Sequence, residues 1–157
     1  MPYDIDLQID PAVQLDVPVS DLREMASAAL AALGQCDDVE MAVIVTTDEG
    51  IRELNRGFRG IDEPTDVLSF ASAEGPAFVL PAGLPPYLGD VIISQPTAAR
   101  QAAERGGTLR DELALLLVHG CLHLLGHDHV TPERREAMWA LQSRILERLG
   151  IAPPQDT

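Results

Sequence analysis

Polar and apolar side chains alternate over residues 3–9, Tyr3-Asp4-Ile5-Asp6-Leu7-Gln8-Ile9. A period of two is that of a half-buried strand. The period then lengthens. Leu22, Met25, Ala26, Ala29, Leu30 and Leu33 recur at helical spacing behind Pro18 and Ser20, and Gly34 ends the run. Val39 to Thr46 is almost continuously apolar and rich in β-branched residues, which predicts an interior strand. A short helix is expected from about Asp48, with Ile51, Leu54 and Phe58 facing inward. The turn Asp62-Glu63-Pro64-Thr65 leads into a short strand, Asp66 to Phe70. Residues 71–87 contain Gly75, Pro76, Pro81, Gly83, Pro85 and Pro86 and predict a long, mobile loop. A further strand follows from Leu88 to Ser94. Pro96 then opens a helix that Gly106 and Gly107 close. Thr108-Leu109-Arg110-Asp111 has the form of a capping box with Asp in the place of Glu or Gln. Thr131-Pro132-Glu133 starts the last helix, which runs to about Leu149 with Ala137, Met138, Leu141, Ile145 and Leu149 inward. Residues 151–157 should fray. Strands interleaved with helices predict an α+β domain: a small mixed four-stranded sheet packed with about five helices. No repeat, low-complexity tract or linker divides the chain, so residues 1–157 read as a single domain.

The length of 157 residues supports one substantial core, and the hydrophobic content of 46% is ordinary for a globular protein. No apolar run approaches the ~18–20 residues that span a bilayer. The first residues lack the basic-then-apolar order of a secretory signal. Two cysteines, Cys36 and Cys121, make no disulfide framework. These features point to a cytoplasmic protein. The net charge of −14 argues against general polyanion binding, because nonspecific nucleic-acid affinity comes from neutralised phosphates. A local basic site remains compatible with it. All 11 basic side chains are arginines, and Arg52, Arg56 and Arg59 lie close together in sequence.

The densest chemistry is the run His119-Gly120-Cys121-Leu122-His123-Leu124-Leu125-Gly126-His127-Asp128-His129, which holds all 4 histidines. Imidazoles four residues apart on a helix share one face. Gly126 permits a reversal that brings His129 back toward His119 and His123. The preceding segment, Leu113 to Val118, is apolar all round, so the helix reads as buried. Buried unpaired imidazoles are costly, and a metal ion relieves that cost. Three imidazoles suit one zinc ion and leave a fourth position open for water, the mark of a catalytic site. If the helix continued through Gly126, His127 would reach the same face and could close the site. We expect it instead beside the metal or at the surface. Cys121 lies about 200° around the helix from His119 and reads as a core residue.

Two families share parts of this run. His-x3-His-x2-Gly-x2-His resembles the metzincin proteases, which carry a Glu general base directly after the first histidine. Here that position is Gly120, which cannot accept a proton. The whole run resembles far more closely the HGxLHLxGYDH signature of the YbeY family, the single-strand-specific endoribonucleases of rRNA maturation. Leu54-Asn55-Arg56-Gly57-Phe58-Arg59-Gly60 with Pro64-Thr65-Asp66-Val67-Leu68-Ser69-Phe70 is similar to that family's LNxxYRG and PTDVLSF block. Leu88-Gly89-Asp90-Val91-Ile92-Ile93-Ser94 is similar to its LGDIVIS strand. The resemblance spans about residues 40–148, and the chain departs from the signature at His127, where the family has Tyr.

The resemblance implies an α+β fold, one Zn²⁺ held by His119, His123 and His129, and hydrolysis of RNA during 16S rRNA 3′-end maturation and ribosome quality control. It implies single-stranded rRNA as substrate, the ribosome or ribosomal proteins as partners, and no membrane. It places Arg59 in the cleft. A guanidinium is permanently charged and phosphate-shaped, so Arg59 is the candidate cation for the charge that gathers on the transition state. Zinc lowers the pKa of water toward ~7 and so provides a nucleophile, although the ribose 2′-OH could serve instead. Asp128 is expected to orient an imidazole. Asn55, Thr65 and Ser69 are cleft residues by resemblance alone, and Asp66 and Asp90 are read as turn and cap residues. The competing class is a ribosome-assembly factor that binds without catalysis and carries a structural metal. Metal coordination discriminates the two: four protein ligands for structure, three for chemistry.

Overall fold

The computed structural model describes residues 3–36, 38–72 and 87–151. Its elements run in the order β1 (Asp4–Ile9), α1 (Val19–Ala32), β2 (Glu40–Thr46), α2 (Asp48–Arg59), β3 (Val67–Ala71), β4 (Tyr87–Ser94), α3 (Gln95–Arg105), α4 (Leu109–Leu124) and α5 (Pro132–Arg148). The α+β architecture and the mixed four-stranded sheet are those the sequence pattern predicts. The mobile loop expected over residues 71–87 falls almost wholly on 73–86, and the frayed tail on 152–157. Both segments lie outside the described residues.

The sheet order is β1-β2-β4-β3. β2 is parallel to both neighbours, and β3 pairs antiparallel with β4 at the edge. The apolar continuity of β2 follows from this central place, since it meets protein on both faces. Side chains alternate between two cores. Met41, Val43, Val45, Val91 and Ile93 face the larger one, beneath α1, α4 and α5. Leu68 and Ile92 face the smaller one with Ile51 of α2. Helix α4 lies at the centre of the larger core, and ten of its sixteen residues are buried.

Two inward expectations are corrected. Phe58, spaced to continue the Ile51–Leu54 stripe, is 71% exposed. The sheet ends at β3, so the last turn of α2 has no further strand to cover that ring. Ala137 is also exposed, because the buried stripe of α5 runs through Met138, Gln142, Ile145 and Leu146 instead.

Helix ends are set by local chemistry. Thr47, Thr108 and Thr131 each accept a backbone N–H three residues on, from Gly50, Asp111 and Arg134. The end of α4 positions the histidine loop. Gly126 takes φ +92°, its N–H donates to the His123 carbonyl, and the His127 N–H donates to Leu122. These two bonds form a Schellman closure, which stops the helix just after His123 and turns the chain back.

Gly120 has a separate reason. A Cβ there would lie 2.6 Å from Val91 Cγ1 and 3.2 Å from Ser69 Oγ, so α4 rests directly on β3 and β4 at this point. The place a metzincin gives to its general base has no room for a side chain. Gly120→Ala should therefore push α4 off the sheet and cost about 1–3 kcal/mol of stability, the scale of overpacking a close contact. Chemical denaturation of the variant measures it, and an unchanged midpoint would contradict the packing argument.

Candidate metal centre

Helix α4 carries His119 and His123 one turn apart, and the loop after Gly126 returns His129 to them. Among the described residues, the ligating nitrogens of these three side chains all lie within 4.8 Å of one another. His127 is not part of the group. Ring centroids are 4.6 Å apart for His119–His123, 5.9 Å for His119–His129 and 5.4 Å for His123–His129. His119 and His123 are half-buried, and His129 faces solvent.

The contact between the first two rings carries the case for a cation. Nε2 of His119 stands 3.0 Å from Nε2 of His123. Nδ1 of His119 is 3.0 Å from Oε1 of Gln142, and when that nitrogen donates there, Nε2 keeps its lone pair. The His123 ring in turn bonds the backbone of His127. Two lone pairs directed at each other repel unless a cation lies between them. Tetrahedral zinc with bonds of 2.0–2.1 Å sets its nitrogens about 3.3 Å apart, close to the spacing seen. Burial holds the His119 imidazole below its ordinary pKa, against the Gln142 hydrogen bond, which works the other way. Burial, with His119 and His129 close by, pushes His123 down to about 4. Both rings are therefore neutral near pH 7, the form that binds a metal. The residues present fit a metal ion such as zinc.

The three histidines share a cavity of ≈ 440 Å³ with Arg59, Asp66 and Ser69. Arg59 reaches it from the end of α2, donating from Nη2 to the Ser69 carbonyl at 2.7 Å, with its guanidinium carbon 5.0 Å from the centre of the Phe70 ring. The Ser69 hydroxyl donates to the Gly120 carbonyl at 3.3 Å and joins the β3 edge to α4.

Other residues singled out in the sequence stand elsewhere. Asn55 is buried, and its amide donates to the Glu63 carbonyl at 2.9 Å, holding the turn before β3. The Thr65 hydroxyl bonds Asp66 at 3.4 Å. Asp66 accepts from the Val67 N–H at 2.7 Å, in keeping with a turn role, but it also lines the cavity. Asp128 accepts from the Val130 N–H at 3.1 Å and from Arg134 at 2.9 Å. These bonds hold its carboxyl below the usual range and tie the His129 loop to α5. Its hydrogen bonds thus brace the loop backbone, where an imidazole partner was expected. Cys121 is buried in the core, as read from its helical phase.

The residue sequence reasoning missed is Gln142. It is buried on α5 and is the partner that orients His119. A signal existed: Gln142 is the polar residue in the inward register of Met138 and Ile145, where an amide needs a partner. Gln142→Leu should weaken metal affinity about 10–100-fold, the usual effect of losing a partner behind a ligand. Competition with a chromophoric chelator measures it. Unchanged affinity would remove Gln142 from the site.

The site brings three convergent imidazoles, which could hold a metal ion, beside an arginine in an α+β chain. Comparison with known proteins narrows this. Residues 9–150 match the family model described as Endoribonuclease YbeY, and the chain belongs to that family. It is 48% identical over 147 residues to the Endoribonuclease YbeY of Moorella thermoacetica, covering 88% of this chain and 94% of the relative. It is 41% identical over 150 residues to that of Roseiflexus sp., covering 94% of each. The solution structure of the Thermotoga maritima protein TM1509 shares the fold, with a TM-score of 0.54 and 24% identity over 93% of this chain and 91% of the other.

Proposed function

We propose that the protein is a zinc-dependent, single-strand-specific endoribonuclease that acts in 16S rRNA 3′-end maturation and ribosome quality control in the cytoplasm. The observation that carries this reading is the shared cavity: Arg59 and three convergent imidazoles line one cleft of nucleotide-accommodating size. Membership of the family named for endoribonuclease activity supports it. So does the number of ligands, since three imidazoles leave a coordination position that a structural zinc would fill with a fourth side chain.

His119, His123 and His129 would hold the zinc. When bound, zinc supplies Lewis-acid polarisation of a phosphate oxygen and acidifies water. The chain's own residues do the rest. Gln142 fixes the tautomer of His119 through Nδ1. Arg59 offers fixed positive charge across the cleft from the imidazoles, where charge on the reacting phosphate grows. The packing of Gly120 on Val91 and Ser69 sets the distance between the two sides.

The partners are single-stranded rRNA and the ribosome or its proteins. With a net charge of −14, isolated RNA should bind weakly and with steep salt dependence. Productive recruitment then depends on a protein partner that complements the acidic surface. The test compares zinc-loaded protein on a short single-stranded RNA, its duplex, the same RNA within a ribosomal particle, and a casein-type peptide. Chelator-sensitive cleavage of the single strand, enhanced in the particle, is expected. Peptide cleavage blocked by chelation would overturn the nuclease reading. Equal cleavage of free and ribosome-held RNA would refute recruitment alone.

A further inference from the structure

The face of the sheet opposite α4 carries a second cavity, ≈ 510 Å³, whose walls include Ile44, Leu54, Phe58, Phe70 and Asp90, with Arg59 at its rim. Arg59 belongs to both cavities. The two lie on either side of the β3 edge, where Ser69 faces one and Phe70 the other. The floor is apolar sheet, and the upper wall is the ring of Phe58. That ring is 71% exposed and stands 5.3 Å from Phe70 at a tilt of 56°. Arg59 sits over the Phe70 ring at 5.0 Å.

We propose that this groove is a nucleobase subsite, which takes the base of a nucleotide flanking the scissile phosphate of a single-stranded RNA. The inference rests on the endoribonuclease reading and extends it to the substrate's base. Unpaired bases are held by stacking on aromatic rings and guanidinium planes, which the groove offers as Phe58, Phe70 and Arg59. Continuity fixes the occupant. A strand with its phosphate between the histidines and Arg59 passes the β3 edge, and the next base then meets the two rings. A duplex keeps its bases stacked and cannot fill the groove, so the subsite gives a physical origin for single-strand selectivity. The acidic group of the groove is Asp90, which accepts a hydrogen bond from the Tyr87 hydroxyl. A carboxylate favours a base that presents an amino donor, adenine, cytosine or guanine, over uracil, which has none.

Phe58 is exposed, so Phe58→Ala leaves the core intact. Zinc-loaded wild type and F58A are compared on a short single-stranded RNA and on a series in which one nucleotide at a time is abasic. Binding is followed separately by the fluorescence of 2-aminopurine placed at the same positions. In wild type, one abasic position beside the cleavage site should lower kcat/KM about tenfold. The same position should quench 2-aminopurine. F58A should show that loss on intact RNA, no further loss on the abasic RNA and no quenching, and F58W should restore both. Asp90→Asn should level the preference for the amino-bearing bases over uracil. F58A with wild-type kcat/KM, or equally sensitive to the abasic position, would overturn the subsite while wild-type cleavage leaves the nuclease standing. A loss confined to ribosome-held RNA would assign the groove to a protein and likewise overturn the proposal. Absence of RNA cleavage and quenching in wild type would overturn both readings.

Discussion

His119→Ala and His123→Ala should each lose most of the tightly bound metal. The two side chains approach each other to 3.0 Å through Nε2 and, with His129, form the group of imidazoles that could hold a metal ion. Two imidazoles without the third are a weak site, because the missing ligand must be replaced by water in a pocket built around three rings. Binding energy is also folding energy, since the unfolded chain has no preformed site. Zinc should therefore raise the melting temperature of the wild type, and raise it little in either variant. That comparison separates metal linkage from the ordinary cost of cutting a half-buried ring from α4. His127→Ala is the control. Its ring lies outside that group, so the variant should keep its metal. Elemental analysis of the three purified variants reads the result. Wild-type metal content in both His119→Ala and His123→Ala would sink the assignment, and loss in His127→Ala would show that the site closes with a fourth ligand.

How much of this was legible before the structure depends on how local each cause is. The ends of α4 are written in adjacent residues: Thr108 caps its start, and Gly126 closes its end through bonds to Leu122 and His123. The central place of β2 is written in its unbroken apolar run, because only a strand covered on both faces tolerates one. The sequence also brought His119, His123 and His129 together, since helical phase and one glycine suffice. What it could not supply were facts fixed by distant segments. Gln142 meets His119 across 23 residues of chain, and only the docking of α5 on α4 makes that pair. Phe58 has the spacing of a core residue, and its exposure follows from where the sheet stops. Asn55 lies in a motif shared with the family yet serves the turn at Glu63. Gly120 could be read as the absence of a base, but its cause is contact with Val91, visible only once α4 is laid on the sheet. Phe58, read like Ala137 with the wrong sense, lines the second cavity beside Phe70.

Arg59→Glu should abolish RNA cleavage while leaving metal content and fold intact. Arg59 is an exposed residue at the last turn of α2, so its replacement opens no cavity in the core. Its guanidinium reaches the Ser69 carbonyl and lines the cleft with the three imidazoles. In a chain of net charge −14, a fixed cation at this point counts strongly toward holding a phosphodiester there. Losing one group that stabilises transition-state charge costs about 2–4 kcal/mol in the barrier, roughly 30- to 10³-fold in rate. Reversal of the charge adds repulsion of the phosphate to that loss. Arg59→Lys separates the two contributions: it keeps the charge and loses the planar fork, so it should fall between wild type and Arg59→Glu. Salt dependence gives an independent reading. If Arg59 neutralises one phosphate of a single strand, removing it should make the slope of log K against log salt shallower by about 0.7. Single-turnover cleavage and fluorescence titration across salt concentrations measure both quantities on the same zinc-loaded samples. A variant that cleaves within twofold of wild type, with an unchanged salt slope, would remove Arg59 from the mechanism and leave its bond to Ser69 as its role.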